Sequence, residues 1–361
     1  MTTTERRYDI DWLRVIAIGL LIFYHIGFVF LPWGVFLGFI QNEESIQGLW
    51  TPMSMLNIWR IPFLFFISGM GVSFAILKRS WKQLILERTR RILLPFIFGI
   101  LAIVPLHLLI WQKFYNQDLS YSINPSHLWF LANIFIYVIL LSPLFFFLKK
   151  NTHGKISRWL KNIFRTPLGL LGVLAAFVTE AVWLNPEVFE TYYMSLHGFL
   201  LGLMAFLFGF IFVQAGDAFW QPVKKWRWVF LVSAVVLFLI RYLEFQLQAP
   251  NYLKAIESNL WIFSLFGFGY RYLNHPSSTL SYLSQSVYPI YIIHMIILYA
   301  GSFLIVPLSI PGTLKLILLV LITFAGCFAL YELVIRRVGF LRPLFGLKYL
   351  IPSGSLGGEK G

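Results

Sequence analysis

The sequence predicts an all-α, polytopic membrane protein of about ten transmembrane helices with both termini in the cytoplasm, and three observations carry that expectation. Of the 361 residues, 58% are hydrophobic and 12% charged, with a mean hydropathy of +0.75; an ordinary soluble domain carries about 25% charged residues and cannot hide so much apolar surface. The hydrophobic residues arrive in blocks of about 18 or more, long enough for a helix to cross a ~30 Å hydrocarbon layer, with polar clusters between them. Lys and Arg alternate from loop to loop, as positive residues retained in the cytoplasm do.

The expected spans of the first half are 12–32, 58–77, 92–112, 128–148 and 166–184. Those of the second are 195–214, 226–243, 256–273, 282–306 and 314–335. The break between the last two rests on Pro307, Pro311 and Gly312, which interrupt an apolar run too long for one helix. The first block, Trp12 to Pro32, exceeds the usual core of a signal peptide and lacks a small-residue cleavage pattern, so it reads as a retained span. The single Cys327 lies in a span and excludes an intramolecular disulfide. Residues 1–350 read as one transmembrane domain and 351–361, rich in Gly, as a disordered cytoplasmic tail. No internal repeat and no hidden soluble domain is visible.

An even number of crossings puts the termini on one side. The N-terminal segment, the even-numbered loops and the C-terminal tail hold 23 of the 29 Lys and Arg, the odd-numbered loops and their flanks about five, and Arg14 lies inside the first span. The densest blocks are Lys78 to Arg91 and Lys149 to Arg165, the second gaining a charge from His153 only when that ring is protonated. Glu43, Glu44, Glu187 and Glu190 stand in the opposite loops. The net charge of +14 follows from topology and contact with anionic lipids; no nucleic-acid partner is needed to explain it.

Few polar residues lie inside the spans. In the first, Arg14 and His25 are eleven residues apart, which puts them on one helical face with His25 ~16 Å deeper and Asp11 close to the same stripe. Such a stripe either walls a polar shaft or combines a snorkelling Arg with a satisfied interhelical His. Gly69, Gly71 and Ser73 in the second span admit a neighbouring helix or a ligand. Arg60, at the outer end of that span, either snorkels or meets an anionic or hydroxylated substrate. Arg88 and Arg91, three apart before Pro95, either anchor the positive side or offer guanidinium forks to phosphates. His127 opens the fourth span, and His294, ~18 Å along the ninth, lies at a depth comparable to His25. No i,i+4 ligand pattern supports a metal between them. His107, His153, His197 and His275 receive no role.

Together these stretches resemble the acyltransferase 3 family, membrane proteins that acylate cell-surface glycans. The matching features are Arg14 and His25 with ten residues between, the Phe65–Phe66–Ile67–Ser68–Gly69 block, Arg88 and Arg91 ahead of Pro95, His127–Leu128–Trp129–Phe130–Leu131, and Ile290–Tyr291–Ile292–Ile293–His294. Within the family the sequence is most similar to the glucan succinyltransferase-like subgroup, glucan biosynthesis protein C. That likeness lies in Trp59 and Arg60, in Phe266–Gly267–Phe268–Gly269–Tyr270–Arg271, and in Tyr331 and Glu332. The esterase-like periplasmic domain of some relatives is not seen, so transfer is expected within the membrane domain.

The resemblance implies a multi-pass protein of the bacterial inner membrane that moves an acetyl, succinyl or similar group from cytoplasmic acyl-CoA to a hydroxyl of an extracytoplasmic glycan. Acyl-CoA is a substrate, and no permanently bound cofactor is implied. On this reading Arg88 and Arg91 hold the donor phosphates, Arg14 orients the donor, and His25 is the general base, an imidazole of ordinary pKa near 6.5 being suited to take a hydroxyl proton. Ser68, Tyr291 and His294 are candidates for steadying the oxyanion, with Arg60 and His127 as further binding residues. The competing class is a proton-coupled transporter of a small solute; inverted repeats and matched broken helices, its usual marks, are not visible. A structural or sensory protein leaves the ordered polar elements without a purpose.

Overall fold

The computed structural model describes residues 6–152 and 154–349; His153 and the expected tail, 351–361, lie outside them. All regular structure among the described residues is helical. In chain order the helices are α1 Tyr8–Phe28, α2 Trp50–Leu77, α3 Trp81–Phe114, α4 Ser126–Lys150, the short α5 Lys155–Phe164, α6 Pro167–Leu184 and α7 Leu196–Ala215. They continue with α8 Asp217–Leu243, α9 Asn251–Tyr272, α10 Ser278–Ile305, α11 Gly312–Ile335 and the single turn α12 Leu341–Leu344. Among the described residues nine helices are long and apolar enough to cross a membrane, so the protein is a multi-pass membrane protein.

One expected span departs from that standard. Residues 256–273 form most of α9, yet Lys254, Glu257 and Arg271 make this helix too polar. Its polar side chains are turned inward: Lys254, Glu257, Ser258 and Asn259 are buried, and Glu257 accepts a two-pronged ion pair from buried Arg241 of α8 at 2.6 and 3.0 Å. Such pairing offsets much of the cost of burying both charges.

The middle of the bundle is α2 and α10, whose apolar windows are 78% and 67% buried, against 11% for α8 and 22% for α11 on the outside. α1 packs among α2, α9, α10 and α11. α2 crosses α7 through a reciprocal pair of glycines: a side chain at Gly69 would run into the Phe206 carbonyl, and one at Gly209 into that of Phe66. Without lipid-side hydrophobic drive, such backbone approach is what holds membrane helices together. Ser73 accepts from Gln214 Nε2 of α7 at 2.9 Å, so Gly69 and Ser73 serve packing while Gly71 is left free.

Prolines open the helices in a consistent way. Each lacks an N–H and frees the carbonyl four residues earlier. The Ile58 carbonyl, freed by Pro62, accepts Tyr192 Oη at 3.0 Å and Ser258 Oγ at 2.9 Å. The Leu101 carbonyl, freed by Pro105, accepts Tyr121 Oη at 2.8 Å. α3 absorbs its two prolines with wide π turns at Thr89–Leu93 and Gly99–Ile103. At the end of the bundle away from the basic loops, the segment after α1 folds back over the helices. Asn42 N–H bonds the Val29 carbonyl at 2.7 Å, Trp111 reaches the Phe39 carbonyl at 3.4 Å, and the Tyr299 hydroxyl bonds the Gly38 carbonyl.

Candidate functional site

A cavity of about 880 Å³ opens at the end of the bundle that carries the basic loops. α1, α2, α3, α4, α10 and the segment around α12 wall it. Arg6, Lys78, Arg79, Arg91, Arg342 and Lys348 contribute to its lining, with Asp11 and Glu87 as the acidic members. Arg14 and Arg88 reach the same wall from different helices. Arg88 Nη2 bonds the Gly71 carbonyl at 3.4 Å, and a Cβ at Gly71 would stand in ordinary contact with Arg14 Nη2, 3.8 Å away, so both guanidinium groups converge on this turn of α2. Arg14 Nη1 is 3.5 Å from Asp11 Oδ1. Arg91 is 44% exposed and pairs with Glu87 at 3.4 Å, which puts it in open solvent while Arg88 turns inward. The π turn between them breaks the ideal i,i+3 spacing. Deeper in lie Ser68 and Tyr291.

The cavity lining stops at Ile18, Phe130 and Tyr291, and a cluster of imidazoles stands beyond. His25 Nδ1 is 2.8 Å from His294 Nε2 with the two rings within 8° of parallel. His294 Nδ1 is 2.7 Å from the Tyr291 carbonyl. A carbonyl only accepts, so His294 Nδ1 carries the hydrogen, its Nε2 is bare, and His25 Nδ1 is the donor in their shared bond. Neutral His25 is thereby left with its lone pair on Nε2. His127 Nε2 donates to the Ile292 carbonyl at 3.1 Å, its ring stands edge-on to His294 with centroids 5.0 Å apart, and its own carbonyl accepts the Tyr291 hydroxyl. His107, to which the sequence assigns no role, brings a fourth ring 5.8 Å from that of His127. His25 is half-buried; the other three are buried. Phe39, from the segment folded over the far end, covers His25 at 5.8 Å between centroids.

A largely basic cavity that ends short of a paired imidazole suits the transfer of an activated group. A family model described as an acyltransferase domain, acyltransferase 3, matches residues 7–332 and so takes in every residue just named except Arg6 and the segment around α12. The chain belongs to the acyltransferase 3 family. No curated protein and no solved structure matches it.

In this membrane-bound acyltransferase, the three expected oxyanion donors are already engaged. Ser68 Oγ donates to the Leu64 carbonyl at 2.8 Å, the Tyr291 hydroxyl to His127, and His294 Nε2 accepts from His25. Arg60 is different. α2 begins at Trp50, so Arg60 lies about 15 Å along the helix, and its side chain is buried among the helices. Its guanidinium carbon sits 3.6 Å from the centroid of Tyr24, the residue before His25, and its Nε and Nη1 are buried with no partner. Tyr24, against Arg60, and Tyr288, in the cavity lining, also belong to the neighbourhood of the candidate site and carry no signal in the sequence beyond being aromatic.

Proposed function

We propose that this acyltransferase takes acyl-CoA from the cytoplasm through the basic cavity and transfers its acyl group to a hydroxyl of an extracytoplasmic glycan, with His25 as general base and His294 as its positioning partner. The observation that carries the reading is the His25–His294 hydrogen bond directly beyond the inner end of that cavity.

Arg88 and Arg14, with Arg91 near the entrance, hold the donor phosphates as charge-assisted hydrogen bonds do. His25 Nε2 takes the proton of the acceptor hydroxyl as its oxygen attacks the thioester carbonyl. The C–S bond then breaks, the ester remains on the acceptor, and the proton on His25 passes to the departing thiolate to give free CoA. His294 Nε2 accepts from His25 Nδ1–H throughout, fixing the ring and spreading the charge of the imidazolium, the part a carboxylate plays in other triads. Arg60 offers its two unpartnered N–H groups to the acceptor or to the oxyanion. The bacterial inner membrane, with both termini and the loops Lys78 to Arg91 and Lys149 to Arg165 in the cytoplasm, supplies the donor on the right side. Trp59, Arg60 and the Phe266 to Arg271 stretch favour the glucan-modifying, succinyltransferase-like subgroup within the family.

Mass spectrometry of surface and periplasmic glycans from cells with and without the gene is the test. An acyl mass on a glycan that depends on the gene, and that disappears with His25→Ala at equal membrane abundance, is the expected result. Identical glycans in all three strains would falsify the glycan reading.

A further inference from the structure

The chain beyond α11 turns back onto the basic end of the bundle. Phe345 is buried edge-on against Phe98 of α3, centroids 5.4 Å apart. Gly346 follows with φ +73°, a conformation that strains any L side chain, and a Cβ there would lie 2.8 Å from Tyr288 Cδ1 and 3.0 Å from the Arg91 carbonyl oxygen. Glycine is thus demanded both by the backbone and by the close approach. Arg342 ties the segment into a hook, donating from Nη1 to the Arg336 carbonyl at 2.7 Å and from Nε to the Lys348 carbonyl at 2.8 Å. The family match ends at residue 332, so this hook lies outside it.

Under the hook, the Tyr288 hydroxyl is buried with no hydrogen-bond partner, and so is Arg88 Nε. Both side chains line the basic cavity together with Arg14. A buried donor without a hydrogen-bond acceptor carries a desolvation cost, which the Glu87 carboxylate 4.0 Å from Arg88 Nε offsets only in part, and an anionic oxygen seated between phenol and guanidinium satisfies both. We propose that Tyr288, Arg88 and Arg14 form an anion subsite for a phosphate of the donor, and that the 341–348 hook positions Tyr288 by seating Gly346 on its ring. This rests on the reading of acyl-CoA as donor. Arg14 and His25 are ~16 Å apart along α1, a distance of the order an extended pantetheine arm spans, so a phosphate fixed here carries the thioester to the level of the imidazole.

The experiment is isothermal titration of the purified full-length protein with coenzyme A and, separately, with pantetheine, which lacks the phosphates. Tyr288→Phe keeps the ring and removes only the hydroxyl. It is expected to weaken coenzyme A binding about tenfold, the worth of a hydrogen bond to a charged group, and to leave pantetheine binding unchanged. Gly346→Val should do the same, and the double variant should bind no more weakly than the weaker single. Wild-type coenzyme A affinity in Tyr288→Phe, or an equal loss for both ligands, overturns the subsite while leaving the donor reading intact. Additive losses in the double variant overturn the positioning role of the hook. Failure of the wild-type protein to bind coenzyme A overturns the donor reading itself, and the subsite with it. Because Gly346→Val can loosen the whole hook, the isosteric Tyr288→Phe carries the decision.

Discussion

Two neutral imidazoles joined by one hydrogen bond have one lone pair left between them, and the Tyr291 carbonyl decides that it sits on His25 Nε2. Replacing His294 with Ala strands His25 Nδ1–H and frees the ring to turn. Steady-state assays should then show kcat lower by about 10–100-fold, the usual effect of losing a group that orients a reacting imidazole, with the KM for acyl-CoA little changed. His294→Gln keeps an acceptor near the lost Nε2 and should recover part of the loss; Ala and Gln behaving alike would remove the positioning role. Removing the base itself, His25→Ala, should cost about 10²–10⁴-fold. His25 and His294 stand out in the sequence because imidazoles are rare at mid-depth in apolar helices, whereas their bond does not, since 269 residues separate them. His107 and Tyr288 are silent in sequence for a different reason. A lone His in Val104–Pro105–Leu106–His107 has no partner at helical spacing, and a single Tyr well inside an aromatic-rich helix carries no signal beyond being aromatic.

The helices themselves are the most legible part of the molecule, because the length of an apolar block is set by the bilayer and not by tertiary contacts. Their polar extensions are not. α2 starts at Trp50 and not near residue 58, α3 at Trp81 and not near 92, and α8 at Asp217 and not near 226. In each case the added turns carry Thr, Ser, Asn, Lys or Asp, which continue a helix outside the apolar layer without raising its hydropathy. The small residues of α2 are likewise undivided in the sequence and separated by the structure. Gly69 meets the α7 backbone, so Gly69→Val should lower stability by about 1–3 kcal/mol through overpacking, read as earlier unfolding in detergent melts. Gly71 meets only Arg14 Nη2, at an ordinary contact distance of 3.8 Å, so Gly71→Ala should melt like the wild type. Equal melting of both variants would contradict this division of the helix.

The whole molecule is asymmetric along the bundle: the basic cavity opens at the end bearing the loops Lys78 to Arg91 and Lys149 to Arg165, and the segment covering His25 lies at the other. The charge alternation that predicts this is legible in the sequence because it is imposed during insertion; the cavity is not, since it is assembled from five helices and the hook. The direct measurement uses purified protein in sealed vesicles, with single cysteines introduced at Ser45 and at Thr152 in a Cys327→Ser background. A membrane-impermeant thiol reagent then reports which face is outward. Acyl-CoA and an acceptor glycan are supplied on opposite sides, and release of free CoA is followed. CoA release is expected only when acyl-CoA is on the Thr152 face and the acceptor on the Ser45 face, with the release lost in His25→Ala. Equal release with the two substrates exchanged, or release undiminished in His25→Ala, would contradict it.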